Sequence, residues 1–251
     1  MFNRLTAELT NLCTLSCPPC PRQHIKMPLG YMDTDLWERL LKQIPDGTTL
    51  FPFWRGEALL HPECSKMLAM AVDRFEVVLA TNGVFLCSET MPPDVFYKLK
   101  AINISLHGIE SVQGAAWALK QRGDNPAPII QFNQTEGEDS RLIAMAQKLA
   151  GGHDVQLRTY KQHTLDGKWG DTGATKGQQA WCQRLGTDLV ITWDGQVSRC
   201  CYVWEPIPGL DANTMSLGEI WHSQEMEVIR KGYPDEVCST CDQWRGEGKT
   251  I

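Results

Sequence analysis

Two rhythms of apolar and polar positions alternate along the first 160 residues. Short β-type runs fall at residues 5–9, 49–53, 77–81, 102–106, 129–133 and 155–159. Helical periodicity fills the intervals. It is clearest over residues 35–44, where Leu36, Trp37, Leu40, Leu41 and Ile44 share one face behind Asp33 or Thr34 as N-cap. Residues 65–75, 94–100, 112–121 and 140–150 supply the later helices. Strands alternating with helices predict a parallel sheet with right-handed crossovers, hence an α/β fold. Six such units, curled, make a partial (β/α)6 TIM-type barrel, whose chemistry belongs at the C-terminal ends of its strands.

The character changes after residue 160. Residues 166–177 (DGKWGDTGATKG) are turn-rich without apolar period, as in a linker or an ordered active-site loop. Asp194 and Gly195 form a two-residue hairpin signal between strands at 188–193 and 196–200. Ser216 and Glu219 make a capping box that opens one helix through Leu217, Ile220, Trp221, Met226 and Ile229. The expected division is a barrel over residues 1–160, followed by a linker and a small C-terminal β-hairpin plus helix auxiliary-cluster domain over 161–251. So small a unit has little core of its own. Cysteines at its corners suggest a metal centre as its staple.

Composition narrows the chemistry. The 251-residue chain carries 24 Lys plus Arg against 30 Asp plus Glu, a net charge of −6. A chain of this length buries a full core without crosslinks. The acidic balance speaks against nucleic acid as a partner, the lack of a long apolar run against a membrane span, and the N-terminus MFNRLTAELT against a secretory signal. A cytoplasmic location is the expectation. Ten cysteines in such a chain are too many for disulfide staples and point to metal or redox work.

Their spacing divides them. Cys13, Cys17 and Cys20 form C-x3-C-x2-C directly after the first strand. Three thiolates on one loop can hold a [4Fe–4S] cluster that keeps one iron open, as a catalytic metal site requires, whereas structural zinc wants four ligands. The motif, with its lead-in Glu8-Leu-Thr-Asn-Leu-Cys13, resembles the signature of the radical S-adenosylmethionine (SAM) superfamily. The resemblance implies that SAM chelates the open iron. One-electron reduction then cleaves it to methionine and a 5′-deoxyadenosyl radical that abstracts a substrate hydrogen. Pro19 replaces the aromatic residue usual before the third cysteine, which implies altered packing of adenine.

Further positions follow the same resemblance. Trp54-Arg-Gly-Glu57-Ala58 is similar to the family's Gly-Gly-Glu-Pro segment, which grips the SAM amino group. Arg55 and Ala58 depart from it, and only Gly56 and Glu57 carry over. Thr81-Asn82-Gly83 matches a frequent family tripeptide and is equally an ordinary strand-end turn. Ser105 and His107 end the fourth strand, where the family places a polar SAM contact; a structural histidine is the plain alternative for His107.

Cys182, Cys200 and the pair Cys238 and Cys241 make a second, four-thiol set. Such a set closes a site fully, and spacing alone fits zinc as well as [4Fe–4S]. The layout resembles the shortened "twitch" form of the SPASM auxiliary domain, which implies one auxiliary [4Fe–4S] cluster. Cys200 and Cys201 compete for one ligand position, with the Gly195-x4-Cys200 count favouring Cys200. Cys201, Cys64 and Cys87 default to small buried hydrophobes.

The overall layout resembles the aminocyclitol-oxidising dehydrogenases of that superfamily. This implies two-electron oxidation of a small hydroxylated substrate, with the auxiliary cluster as electron acceptor and a flavodoxin or ferredoxin as electron donor. Lys161 and Arg158, at or just past the sixth strand, are the candidate catalytic, substrate-contacting residues, with His163 nearby; solvated surface charge is the alternative for each. Trp169 is a candidate cover for the cavity. Radical modification of a ribosomal peptide is an alternative, although relatives of that kind usually carry an N-terminal leader-recognition domain, and the first strand here begins near residue 5. Epimerisation would need a hydrogen donor, for which Cys201 and Cys87 are available. The non-enzymatic alternative is a zinc-stapled binding module or an iron–sulfur electron carrier.

Overall fold

The computed structural model describes residues 1–17, 20, 22, 26–135, 141–151, 156–160, 182–233, 235–239 and 241. The six barrel strands are β1 (Arg4–Ala7), β2 (Thr49–Phe51), β3 (Glu76–Thr81), β4 (Ala101–Ser105), β5 (Ile129–Thr135) and β6 (Gln156–Tyr160). Between them run helices α1 (Thr34–Gln43), α2 (Cys64–Val72), α3 (Pro93–Phe96), α4 (Glu110–Arg122) and α5 (Arg141–Ala150). Each predicted strand and helix is present, with ends displaced by a few residues. Asp33 caps α1, its side chain accepting from the Asp35 N–H at 2.7 Å.

All neighbouring pairs from β1 to β6 are parallel, giving the partial TIM-type barrel. One face of the strands is apolar. Leu5, Ala7, Leu50, Val77, Leu79, Ile102, Ile104, Ile130 and Phe132 are buried with Leu36, Trp37, Leu40, Met67, Leu68 and Leu119 of the helices. The alternate positions supply the other face. Register places Ser105 beside Asn133 and Asn133 beside Arg158, with Asn103 beside Gln131 one step below. Side chains that share a register row share a face, so a band of amides and hydroxyls crosses the non-helical side of β4, β5 and β6.

The C-terminal segment continues this sheet. After α6 (Gln183–Thr187), strand β7 (Asp188–Ile191) pairs parallel with β1, and β8 (Gln196–Cys200) and β9 (Val203–Asp211) follow antiparallel. Among the described residues the order is β6-β5-β4-β3-β2-β1-β7-β8-β9. The hairpin loop is longer than the Asp194 and Gly195 signal predicts. Thr192 N–H donates to the Gln196 carbonyl at 2.9 Å, and the chain turns over residues 193–195 with Gly195 at φ +87°. The strand β9 runs against its sequence pattern, since Pro206, Pro208 and Gly209 argue against a central strand. It sits at the sheet's edge, where missing donors are tolerated.

One predicted helix is two. α7 (Leu217–Trp221) has the full capping box of Ser216 and Glu219. It stops because Ser223 starts another helix, α8 (Gln224–Lys231), by accepting from the Met226 N–H. The short α9 (Glu236–Ser239) carries Cys238. Among the described residues no helix is long and apolar enough to cross a membrane.

Candidate functional site

The loop that leaves β1 bears the first cysteine set. Cys13, Cys17 and Cys20 are all half-buried, and the Cys20 N–H donates to the Cys17 carbonyl at 2.9 Å, closing a tight turn. Arg22 braces the loop, its guanidinium donating to the carbonyls of Leu15 at 2.9 Å and Cys13 at 3.3 Å. Burial pushes the Cys20 thiol up, and bonding to Arg22 together with its positive charge offsets only part of that rise.

The end of β2 is pressed against the base of this loop. A Cβ on Gly56 would lie 2.4 Å from the Thr10 carbonyl oxygen and 2.6 Å from that of Leu12. Glycine is therefore dictated by backbone contact. The Glu57 N–H donates to the Leu12 carbonyl at 2.7 Å, fixing the crossing. Both carboxylate oxygens of Glu57 are engaged within the protein. Oε1 accepts from the Thr81 hydroxyl at 2.8 Å and the Leu59 N–H at 3.1 Å, and Oε2 accepts from the Asn82 N–H at 2.7 Å. Burial pushes the Glu57 carboxyl up against the opposing pull of these donors. Glu57 thus ties the end of β2 to the end of β3.

Asn82 carries that tie to the cysteines. Its amide Nδ2 donates to Cys13 Sγ at 3.6 Å, while its Oδ1 accepts from the Val84 N–H at 2.9 Å. The turn needs Gly83 at φ +78°, and α4 approaches so closely that a Cβ on Gly114 would meet the Gly83 oxygen at 1.9 Å. Gly56, Glu57, Asn82 and Cys13 are therefore one connected group at the strand ends. Ser105 ends β4, half-buried, with exposed His107 two residues on, and Arg158 lies on β6, half-buried in the Ser105–Asn133 register row. Lys161, His163, Trp169 and the loop 166–177 fall outside the described residues.

Arg55, at the position where the resembled motif has glycine, has a partner of its own. Its guanidinium grips the buried Glu8 in a fork, Nε to Oε1 at 2.7 Å and Nη2 to Oε2 at 2.5 Å. The same guanidinium lies over the Trp54 ring at 4.2 Å and the Trp204 ring at 5.6 Å. Trp54 Nε1 donates to the Cys201 carbonyl at 2.7 Å. The segment after β2 thereby joins the first cysteine loop to the C-terminal hairpin. A cavity of about 250 Å³ opens beside this pair, lined by Lys26, Met27, Arg55, Trp193, Trp204 and Glu205 among others.

The second set converges from three elements. Cys182 precedes α6, Cys200 ends β8, and Cys238 and Cys241 flank the end of α9. Cys200 is pushed well above the usual thiol value by burial, reinforced by the charges of Cys201, Cys241 and Cys182. Cys238 is pushed up to about 12 by burial and the Asp235 carboxylate, with Cys241 also adding. Tyr233, raised to about 12 mainly by burial, feels Cys182, Cys238 and Cys241 together. Cys201, which acts on Cys200, has a contact of its own: its sulfur accepts from Arg184 Nη1 at 3.6 Å, and the charges of Arg184, Asp188 and Arg4 bear on it. Among the described residues no three donors crowd as around a single metal ion. In a [4Fe–4S] cluster each thiolate meets its own iron, so a wider spacing is expected. Soft thiolates in two groups, one of three and one of four, suit such clusters.

Several of these groups escape sequence reading. The amides Asn103, Gln131 and Asn133 are legible only as polar residues at two-residue spacing, and Gln131 Nε2 donates to Asn133 Oδ1 at 2.7 Å. Arg199 and Asp235, beside the second thiol set, give only adjacency to cysteines as a signal. The pairing of Glu8 with Arg55 gives none.

Comparison with known proteins bears on both halves. Residues 182–242 match the SPASM iron–sulfur cluster-binding domain. A curated relative from Pyrococcus furiosus, a tungsten-containing aldehyde ferredoxin oxidoreductase cofactor-modifying protein, is 31% identical over 91 residues, covering 35% of this chain. The match spans only 26% of that relative. Among solved structures, BtrN in complex with AdoMet and 2-DOIA is similar with a TM-score of 0.64 at 18% identity, covering 96% of this chain and 93% of that one. Streptococcus suis SuiB bound to precursor peptide SuiA gives 0.69 at 12% identity, covering 98% of this chain and 72% of that one. The C-terminal segment is thus of the SPASM iron–sulfur cluster-binding type, and the fold is one shared with BtrN and SuiB.

Proposed function

We propose that the protein is a radical SAM oxidoreductase that dehydrogenates a small hydroxylated substrate. The observation that carries this reading is the three-cysteine loop at the barrel mouth, joined through Asn82 and Glu57 to the strand ends. When bound, an open-iron cluster with SAM supplies the hydrogen-abstracting radical, and a closed second cluster supplies an acceptor for the remaining electron. Cys13, Cys17 and Cys20 are the residues that would hold the first, and Cys182, Cys200, Cys238 and Cys241 the second. Gly56 and Glu57 set the backbone path beside the loop, and Asn82 donates to the first ligand sulfur. Ser105 and His107 are the polar contacts toward SAM.

The substrate side is the band of Asn103, Gln131, Asn133 and Arg158, and Lys161, next after β6 in the sequence, is a further candidate contact. Polar side chains that share one face of the sheet suit a ligand bearing several hydroxyl groups. Arg158 and Lys161 orient the reacting hydroxyl. The likeness to BtrN, whose structure holds the small molecule 2-DOIA, supports this choice. A reduced flavodoxin or ferredoxin fits as the electron donor. A peptide substrate is the second reading, favoured by the likeness to peptide-bound SuiB.

The test uses the anaerobically reconstituted full chain with SAM, a reductant and a panel of cyclitols and amino sugars deuterated at their carbinol carbons. Deuterium in 5′-deoxyadenosine together with a ketone product is the expected result. Reconstituted chain that cleaves SAM but takes no label from any member of the panel, while taking it from a deuterated peptide, would overturn the small-substrate reading.

A further inference from the structure

Beside the second thiol set lies an ion pair that the proposed reaction does not use. Arg199, immediately before Cys200 on β8, reaches Asp235 in a fork, Nη1 to Oδ1 at 2.9 Å and Nη2 to Oδ2 at 2.7 Å. The same Nη1 also donates to Cys238 Sγ at 3.7 Å. Asp235 Oδ1 accepts from the Cys238 backbone N–H at 3.0 Å, so the carboxylate positions both the arginine and the cysteine. The Arg199 side chain is 13% exposed, which leaves it little screened by solvent.

We infer that Arg199 is a positioning residue that raises the reduction potential of the cluster held by Cys182, Cys200, Cys238 and Cys241. The inference rests on the auxiliary-cluster reading above. One-electron reduction of a thiolate-held [4Fe–4S] centre adds one negative charge to it. A guanidinium N–H on a ligand sulfur stabilises that added charge more than it stabilises the oxidised form. Hydrogen bonds to sulfur and local charge are the levers that set such potentials. Asp235 opposes the effect in part, because its own charge lies beyond the guanidinium at hydrogen-bond distance. The arrangement keeps the centre easier to reduce than its thiolate charge alone would allow, as an acceptor of substrate electrons requires.

The test isolates the second centre by replacing Cys13, Cys17 and Cys20 with Ala in the full chain, then reconstituting it with iron and sulfide. Its midpoint potential is read by redox titration with electron paramagnetic resonance detection. Arg199→Gln in that background is expected to lower the reduced-to-oxidised ratio at fixed potential about tenfold, a fall of about 59 mV for one electron. Iron content should remain unchanged. An equal midpoint with equal iron would overturn the inference. Should Arg199→Gln fail to hold iron, Arg199→Met, a neutral side chain of similar length, is read in its place. A lowered midpoint supports the role, and an unchanged or raised one contradicts it. Absence of iron from the Cys13, Cys17 and Cys20 replacement itself would instead strike at the auxiliary-cluster reading.

Discussion

Arg55 and Glu8 show how a single residue can be visible in the sequence while its role is not. A glycine would serve the resembled motif, and the arginine reads there only as a departure. In the fold it neutralises a carboxylate buried at the core of the loop junction, with Trp54 and Trp204 against its guanidinium. A buried pair of this kind is costly to break and nearly neutral to replace as a whole. Arg55→Met alone should therefore lower unfolding free energy by about 3–5 kcal/mol, leaving the buried Glu8 without its ion partner. Adding Glu8→Leu should recover most of that loss. Denaturant unfolding of the two singles and the double reads the coupling, and simple additivity would show that the pair acts as two separate groups. Gly56 is the opposite case. Its identity follows from the motif, but its reason needs the fold: the carbonyl oxygens of Thr10 and Leu12 lie within 2.6 Å of where a Cβ would stand.

Among elements, those with a strong local period are legible and those decided by neighbours are not. The helix α1 has a full apolar face and a capping aspartate, so its limits can be read almost to the residue. The strand β9 contradicts its own propensities and exists because β8 offers it a partner edge. The break between α7 and α8 falls between, since Ser223 has capping chemistry that the continuing apolar pattern of Met226 and Ile229 masks in the sequence. In the structure Ser223 accepts from the Met226 N–H at 3.3 Å. Ser223→Ala should cost about 0.5–2 kcal/mol of stability. Asp at the same position should restore most of it. Thermal unfolding of the three proteins checks this, and an unaffected Ala variant would mean that α7 and α8 are held by packing alone.

For the whole molecule, the thiol counts three and four are visible from spacing, and their spatial meaning is not. The C-terminal hairpin joins the barrel sheet through β7 on β1. Trp54 and Arg55 then bridge the first cysteine loop to the segment bearing Cys200 and Cys201. Long-range pairing of that kind has no signature in a single chain segment, because each strand's pattern is compatible with several partners. The choice between Cys200 and Cys201 illustrates it. Adjacent residues on a strand end point apart, and only contacts made by the fold, such as Arg184 Nη1 on the Cys201 sulfur, distinguish their surroundings.

In the proposed function the loop of Cys13, Cys17 and Cys20 is the centre of SAM cleavage. The most direct measurement is the yield of 5′-deoxyadenosine from SAM by the anaerobically reconstituted, dithionite-reduced protein. It should form with the unaltered chain and be lost when Cys13, Cys17 and Cys20 are replaced by Ala, with about four irons per chain retained in the second site. An iron-loaded, reduced chain that leaves SAM intact, or a chain that takes up zinc stoichiometrically in place of iron, would contradict it.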